Sequence, residues 1–414
     1  MAITSINPAT EQEVARFDEH TTQHVDSVLD QAHHAQRAWR RLSFETRGSH
    51  LTQVAKVLRE EKSRLAALAT EEMGKPLVEA AAEVEKCAWS LDWFAENSAA
   101  LLAPEEMPSS ATQSYVQYQP LGVLLAVMPW NFPFWQFFRA AAPSLMAGNT
   151  IVLKHASNVP RCSLAIEEVF HLAGVPTGVA ASLLLGSGAV AGLIADPRIA
   201  AVTLTGSDLA GAKVAEAAGK ALTKGVLELG GSDPFIVLDD ADLKAAATVG
   251  CRARNQNNGQ SCIAAKRFIV DRNVADEFEE LFVAAVKALT VGDPTDPATN
   301  VGPLARADLV HELADQVGRT LAMGGQVLTG GSRIQGTGYY FEPTVMGGIT
   351  REMPVFREET FAPAADLIRA VGAAEAVVGA HDRAFGLGPA VWPGAPQRDH
   401  PLRLECVEGR GSCL

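Results

Sequence analysis

A cysteine inside a glycine-marked turn, Asn257-Asn258-Gly259-Gln260-Ser261-Cys262, follows a glutamate beside paired glycines, Leu227-Glu228-Leu229-Gly230-Gly231, after 262 − 228 = 34 residues. These are the residue types of a nucleophile and its base. The thiolate is the attacking species, and a cysteine of ordinary pKa ~8.5 is only about 3% ionised at neutral pH, so a working cysteine needs a helper group. Glu228 is a candidate helper.

A third polar group stands in Pro129-Trp130-Asn131-Phe132-Pro133, an amide between prolines and aromatic rings. A rigid, dry carboxamide suits a developing oxyanion, where one donor contributes ~3 to 4 kcal/mol to a transition state. An asparagine that only stabilises a turn is the plainer reading of this motif alone. Eight residues further, Arg139 shares a helix face with Trp135 at i, i+4, so an aromatic wall and a guanidinium are expected to face one ligand. A structural pair of Arg139 with an Asp or Glu is equally open.

Short apolar runs separated by helical stretches must position these groups. Gly122–Val127, Thr150–Leu153, Ala181–Leu185 and Ala201–Thr205 read as strands of one parallel sheet, and Pro234–Leu238 with Arg267–Val270 starts a second α/β block. The boundary is expected near Gly230-Gly231. From about His24 to Ala100 the composition predicts several helices, broken near Met73-Gly74-Lys75-Pro76, and Ser114–Pro120 alternates like an exposed strand.

Two strand-glycine-helix turns could receive a dinucleotide phosphate. Gly186-Ser187-Gly188-Ala189-Val190-Ala191 fits a relaxed G-x-G-x-x-A pattern, with Asp208 22 positions after Gly186 where a ribose-binding acid would stand. Asp208 also follows the second turn, Thr205-Gly206-Ser207-Asp208-Leu209-Ala210-Gly211, and there it reads better as a helix cap. Backbone N–H groups and Ser207 at that helix start favour a phosphate. Two ordinary βα turns explain the same residues. Lys154, ending a strand, could reach ribose hydroxyls or be a surface lysine.

The 414 residues exceed one hydrophobic core, and 47% hydrophobic with 20% charged residues describes a soluble globular protein of two or more domains. A net charge of −13 argues against a nucleic-acid partner. Six cysteines without C-x-x-C spacing, an N-terminus without a signal pattern and no apolar run of membrane length predict reduced thiols, no membrane and a cytoplasmic location. The histidines lack metal-ligand spacing, and no metal is assigned.

Taken in order, PWNFP, the strand-ending Lys154, TGS with a later glycine, LELGG and GQSC resemble the aldehyde dehydrogenase superfamily from roughly Asn7 to Trp392. The resemblance implies an α/β fold: a Rossmann-type cofactor domain over 1–108 and 121–231, a bridging and oligomerisation strand region over 109–120, and an incomplete catalytic domain over 232–392. It implies that Cys262 attacks an aldehyde, that Asn131 and the Cys262 N–H hold the oxyanion, and that Glu228 activates water to hydrolyse the thioester. Trp130, Lys154, Ser157, Gly186, Gly206, Ser207, Gly211, Leu229, Gly230, Glu359 and Phe361 would then surround the NAD(P) cofactor, with the pyrophosphate at the Gly206 turn and Gly186 nearer the adenine. Ala362 stands where the family usually has glycine.

Many NAD-preferring members carry a glutamate three residues after the lysine. Ser157 stands there, so NADP is expected to be accepted, possible repulsion of a 2′-phosphate being absent. The segment around Arg139, with Lys154–Pro160, is similar to bacterial succinate-semialdehyde dehydrogenases. The matching arginine there binds the substrate carboxylate, although a second arginine before the cysteine is replaced by Gln256. The expected substrate is succinic semialdehyde, with Arg139 and Trp135 lining its site.

After Trp392 the family continues with a helix, a strand, a P-F-G-G loop and a final oligomerisation strand. Here 393–414 read PGAPQRDHPLRLECVEGRGSCL, an aberrant tail with three prolines. A shifted reading frame is the first expectation and natural degeneration the second, either of which would impair the family's homo-oligomer. Two further readings compete: a thiol hydrolase, for which His311, His381 and His400 lack supporting context, and an inactive nucleotide-binding relative.

Overall fold

Strand and helix alternate along residues 2–394, which the computed structural model describes. The chain divides into two units, one of residues 1–6, 13–72 and 80–228, the other of 7–12, 73–79 and 229 onward. The expected aberrant tail lies, beyond Gly394, outside the described residues.

At the start of the chain β1 (Ala2–Asn7) pairs with β2 (Gln12–Asp18), and four helices follow: α1 (Thr22–Trp39), α2 (Phe44–Glu60), α3 (Lys62–Met73) and α4 (Leu77–Leu101). Thr21 and Ser43 cap the first two by accepting N–H bonds of His24 at 3.2 Å and Thr46 at 3.1 Å. The break between α3 and α4 falls where the sequence predicts it, at a glycine with φ +79°. The expected strand over Ser114–Pro120 contracts to β4 (Tyr115–Val116), paired with β3 (Glu105–Glu106) in a short exposed hairpin.

The apolar runs then build a parallel sheet. Its members are β5 (Val123–Met128), β6 (Thr150–His155), β7 (Ala180–Leu183), β8 (Ile199–Thr205) and β9 (Lys224–Glu228), in the order β7-β6-β5-β8-β9. The connecting helices are α5 (Trp135–Met146), α6 (Pro160–Leu172), α7 (Val190–Ile194) and α8 (Asp208–Ala221). The chain starts in the middle with β5, grows outward through β6 and β7, and returns to add β8 on β5's other side. Strand order therefore reverses between β5 and β8, and in such sheets ligands bind at the carboxyl ends beside the reversal. The loops leaving those two strands carry Trp130 and Asn131 on one side and Gly206 and Ser207 on the other.

Asp208 is corrected in its role. Ser207 caps α8, its hydroxyl accepting the Ala210 N–H at 3.4 Å, and Asp208 is already the first helical residue. The extended backbone at Ser207 (φ −72°, ψ 157°) is what a cap requires.

The second unit holds a six-stranded sheet. Its elements run β10 (Asp233–Val237), α9 (Leu243–Asn255), β11 (Ala265–Asp271), α10 (Ala275–Lys287), α11 (Ala307–Ala322), β12 (Gln326–Thr329), β13 (Thr344–Gly347), α12 (Pro354–Arg357), β14 (Ala364–Ala370), α13 (Gly372–His381) and β15 (Ala390–Trp392). The order is β12-β13-β14-β11-β10-β15, parallel throughout except for β12 against β13. The two-residue period of β10 sorts its side chains: Phe235 and Val237 join Phe268, Phe278 and Phe282 on one face, while Ile236 packs with Ile269, Ala376 and Val391 on the other. Each phenylalanine so buried contributes about 1.5–3 kcal/mol.

Candidate active site

In the first unit the carboxyl ends of β5, β8 and β9 gather the predicted residues. Glu83 of α4 sets the start of α5: its buried carboxylate accepts the N–H groups of Phe134 at 2.9 Å and Trp135 at 2.8 Å. These amides have no partner inside the helix, and an anion there also meets the positive end of its dipole. One turn on, Arg139 emerges from a helix otherwise anchored by buried Phe137 and Phe138.

Arg139 donates through Nη2 to Thr205 Oγ1 at 3.1 Å and through Nη1 to Glu228 Oε2 at 3.4 Å. Thr205 and Glu228 end β8 and β9, and the parallel register pairs them directly, so the ladder delivers both side chains to one guanidinium. The Gly206 N–H, bonded to the Glu228 carbonyl at 3.0 Å, extends this pairing into the Ser207 turn. Of the two readings of Arg139, the pair with an acid is present, and its partner is the predicted base. Trp135, on the same helix face, carries the Lys86 ammonium over its ring at 3.9 Å.

Asn131 is buried in the loop after β5. His155, the last residue of β6, holds that loop: its Nε2–H donates to the Pro133 carbonyl at 2.8 Å, while Nδ1 accepts the Ala156 N–H at 2.9 Å and lies 3.2 Å from the Met128 oxygen. The tautomer follows from these partners. Complete burial lowers the His155 pKa to about 4 against the opposing carbonyls, so the imidazole is neutral. Nothing in the sequence marked His155 apart from its neighbour. A histidine ending a strand of six buried residues was the available signal.

Lys154 is buried, and desolvation lowers its pKa while Glu19 works against that shift. A Cβ added to Gly186 would stand 3.0 Å from Glu19 Oε1, so Lys154, Glu19 and Gly186 form one neighbourhood. Glu19 was not foreseen. Ser157 lies exposed in the turn after β6. The donor set suits a dinucleotide: a lysine and an acid for ribose hydroxyls, and at the strand-order reversal the first-turn amides of α8, with Gly206 leaving close backbone approach open.

The second unit builds the cysteine loop. After α9, Asn257 and Asn258 take left-handed conformations (both φ 58°) and Gly259 follows at φ +73°, a path that asparagine and glycine tolerate. Asn258 is fixed by three bonds, donating to the carbonyls of Gly74 and Pro303, each at 2.8 Å, and accepting the Gly302 N–H at 2.7 Å. Asn257 donates its N–H to Glu79 at 2.6 Å, and Gln260 accepts the Ala305 N–H at 2.9 Å. The loop ends on Cys262, a half-buried thiol outside any disulfide.

Lys266, four residues later in fully buried β11, was missed by the sequence reading. Its ammonium donates to Glu359 at 2.6 Å, to the Cys262 carbonyl at 3.2 Å and to the Gly231 carbonyl, while the Gly231 N–H reaches the same Glu359 oxygen at 3.1 Å. It also faces the Phe361 ring at 5.5 Å. Gly231 must be glycine here, since a Cβ would strike the Cys262 carbonyl oxygen. One buried lysine thus joins the cysteine strand, the paired glycines and the Glu359–Phe361 motif. Burial lowers its pKa and Glu359 opposes the shift. Arg254, also buried, supports the same motif by donating to the carbonyls of Thr360 at 2.9 Å, Ala364 at 2.6 Å and Ala362. Leu229 and Gly230 are half-buried between β9 and β10.

A model of the aldehyde dehydrogenase family matches residues 1–402, ten beyond the Trp392 where the resemblance was placed. A protein of Synechocystis sp. described as a probable succinate-semialdehyde dehydrogenase (NADP(+)) is 48% identical over 402 residues, 97% of this chain and 88% of its own. A succinate semialdehyde dehydrogenase (NAD(P)+) of Escherichia coli K12 is 45% identical over 404 residues, with 97% and 87% covered. The crystal structure of succinic semialdehyde dehydrogenase from Streptococcus pyogenes in complex with NADP+ superposes with a TM-score of 0.95 at 37% identity, covering 97% of this chain and 89% of that one.

Proposed function

Because the chain belongs to the aldehyde dehydrogenase family, we propose that it oxidises an aldehyde bearing a distal carboxylate, succinic semialdehyde first, to the dicarboxylic acid with NADP or NAD as acceptor. The relatives at 45–48% identity carry that activity in their names. The observation that carries the anionic substrate is Arg139, a guanidinium 36% exposed at the carboxyl end of the sheet and held by Thr205. A thiol hydrolase finds no support among these relatives.

In this reading Cys262 adds through its thiolate to the aldehyde carbon, and Asn131 with the Cys262 N–H holds the resulting oxyanion. The bound cofactor supplies a hydride acceptor. Water, deprotonated by Glu228, then adds to the thioester carbonyl, the carbon–sulfur bond breaks, and the thiolate returns. Trp130, Lys154, Ser157, Gly186, Gly206, Ser207, Gly211, Leu229, Gly230, Glu359 and Phe361 are assigned to the dinucleotide, with Glu359 and Phe361 at its nicotinamide end. Exposed Ser157 in place of an acid fits a 2′-phosphate. Trp135 is assigned with Arg139 to the substrate.

Formation of reduced cofactor with succinic semialdehyde, butanal and each of NADP and NAD tests this. A higher kcat/KM for the semialdehyde and turnover with NADP are expected. Preference for butanal, or strict use of NAD, would overturn the corresponding part. We also propose a cytoplasmic homo-oligomer. Cys87, Cys162, Cys251 and Cys262 are in no disulfide, and no helix among the described residues is long and apolar enough to cross a membrane. Exposed Tyr115, Val116 and Tyr118 near the β3–β4 hairpin offer a surface to a second copy. Light scattering of the purified protein would test the assembly.

A further inference from the structure

Arg139 is bonded to the base as well as available to a substrate, and that double position has a consequence for catalysis. The contact with Glu228 is a single one at 3.4 Å, whereas Arg319 grips Glu358 with two bonds at 2.7 and 2.8 Å. The bond to Thr205 at 3.1 Å fixes the guanidinium independently of Glu228. Both partners are reachable, the Arg139 side chain being 36% and the Glu228 side chain 21% exposed. A planar guanidinium has five donors, and a second carboxylate arriving head-on can take a two-bonded geometry that Glu228 does not use here.

We propose that Arg139 is a positioning residue for Glu228 that exchanges one carboxylate for another: it holds the base in the resting enzyme and releases it when the distal carboxylate of an anionic aldehyde takes its place. The substrate then frees the base that its own thioester needs. Uncharged aldehydes acylate Cys262 but leave Glu228 tethered, so their deacylation is slow. The tethered carboxylate is turned toward Arg139; once released, it takes a proton from water as the hydroxyl oxygen adds to the thioester and the carbon–sulfur bond breaks. The exchange rests on the anionic-substrate reading for its biological meaning, but its chemistry can be tested without that substrate.

The probe is propionate added to wild-type enzyme turning over butanal, so that the missing carboxylate is supplied separately. Rapid mixing should show a burst of reduced cofactor followed by a slower steady state, and propionate should raise the steady-state rate severalfold while leaving the burst amplitude unchanged. Arg139→Met and Glu228→Gln should each abolish the activation. In Arg139→Met the burst of reduced cofactor from butanal should persist while the steady-state rate rises toward that of the propionate-activated wild type, a split that a merely structural role would not produce. Propionate that is inert, or that only inhibits competitively, in the wild type overturns the exchange, with no variant needed. Activation by propionate in an enzyme without preference for succinic semialdehyde would support the exchange and overturn the substrate reading alone.

Discussion

Burial sets Cys262 apart from the other cysteines among the described residues. Desolvation pushes the Cys162 thiol well up and Cys251 to about 11, which keeps both protonated and inert, while Cys262 lies half-exposed at the end of a braced loop. Cys262→Ala should abolish aldehyde-dependent cofactor reduction while cofactor binding, measured by fluorescence, persists. Glu228→Gln should release one equivalent of reduced cofactor per site and then turn over at least 100-fold more slowly, as expected for loss of general-base catalysis; stopped-flow absorbance would resolve the two phases. Unaltered steady-state turnover would remove Glu228 from deacylation. Lys266→Met should cost about 3 kcal/mol of stability, since it leaves Glu359 and the carbonyls of Gly231 and Cys262 without their cation, and urea denaturation would read it. The same variant should raise the KM for the cofactor, because Glu359 loses the ammonium that orients it. Cys262, Glu228 and Asn131 stood out as candidates in the sequence because turn residues frame them. Lys266 and His155 were not: a buried charged or titratable residue looks like any other until its partners are known, and these partners are mostly backbone carbonyls that carry no side-chain signature.

Elements were read well where hydrophobic runs were long. Runs near 123, 150 and 200 became β5, β6 and β8, whose side chains are mostly buried. The strand that carries Glu228 was invisible, since Lys224–Glu228 lies exposed to half-buried on the sheet edge and its residues follow no two-residue alternation. The cysteine loop is the element whose local chemistry is most exacting. A Cβ on Gly259 would stand 2.5 Å from the Ala362 carbonyl carbon and the Pro363 nitrogen, and its φ of +73° is costly for alanine. Gly259→Ala should therefore cost roughly 2–4 kcal/mol, strain and overlap together, and displace Cys262 enough to suppress the burst. Gly188→Ala is the contrasting case, with open space around the added carbon and an ordinary backbone conformation. It should leave the urea midpoint unchanged, and any effect should fall on the cofactor KM. A destabilised Gly188→Ala would mean that the G-x-G-x-x-A turn is needed for packing.

Across the whole molecule, buried titratable groups tie stability to pH with opposing signs. Asp366, fully buried, has its pKa raised by desolvation despite Arg254 and Arg267, so the folded state holds a proton that the unfolded chain gives up and stability falls as pH rises above the ordinary carboxylate range. His155 runs the other way. Its pKa falls from 6.5 to about 4 on folding, so between those values the unfolded chain binds the extra proton and stability rises with pH. The contribution is complete above 6.5 and is lost as pH falls toward 4, amounting to ~3 kcal/mol at 1.36 kcal/mol per unit. Comparing wild type with His155→Gln removes the opposing Asp366 effect, which both proteins share. A glutamine can still donate to Pro133 and accept from Ala156, so the Asn131 loop keeps its support at neutral pH. Urea denaturation from pH 7 to pH 4 should show the wild type losing ~3 kcal/mol more than the variant, with turnover of the wild type failing as pH approaches 4. As pH approaches 4 the imidazolium would present Nδ1–H to the Ala156 N–H, two donors face to face at 2.9 Å, and the strand end would release the loop that carries Asn131. Parallel pH profiles for the two proteins would exclude His155 as the origin of the acid sensitivity.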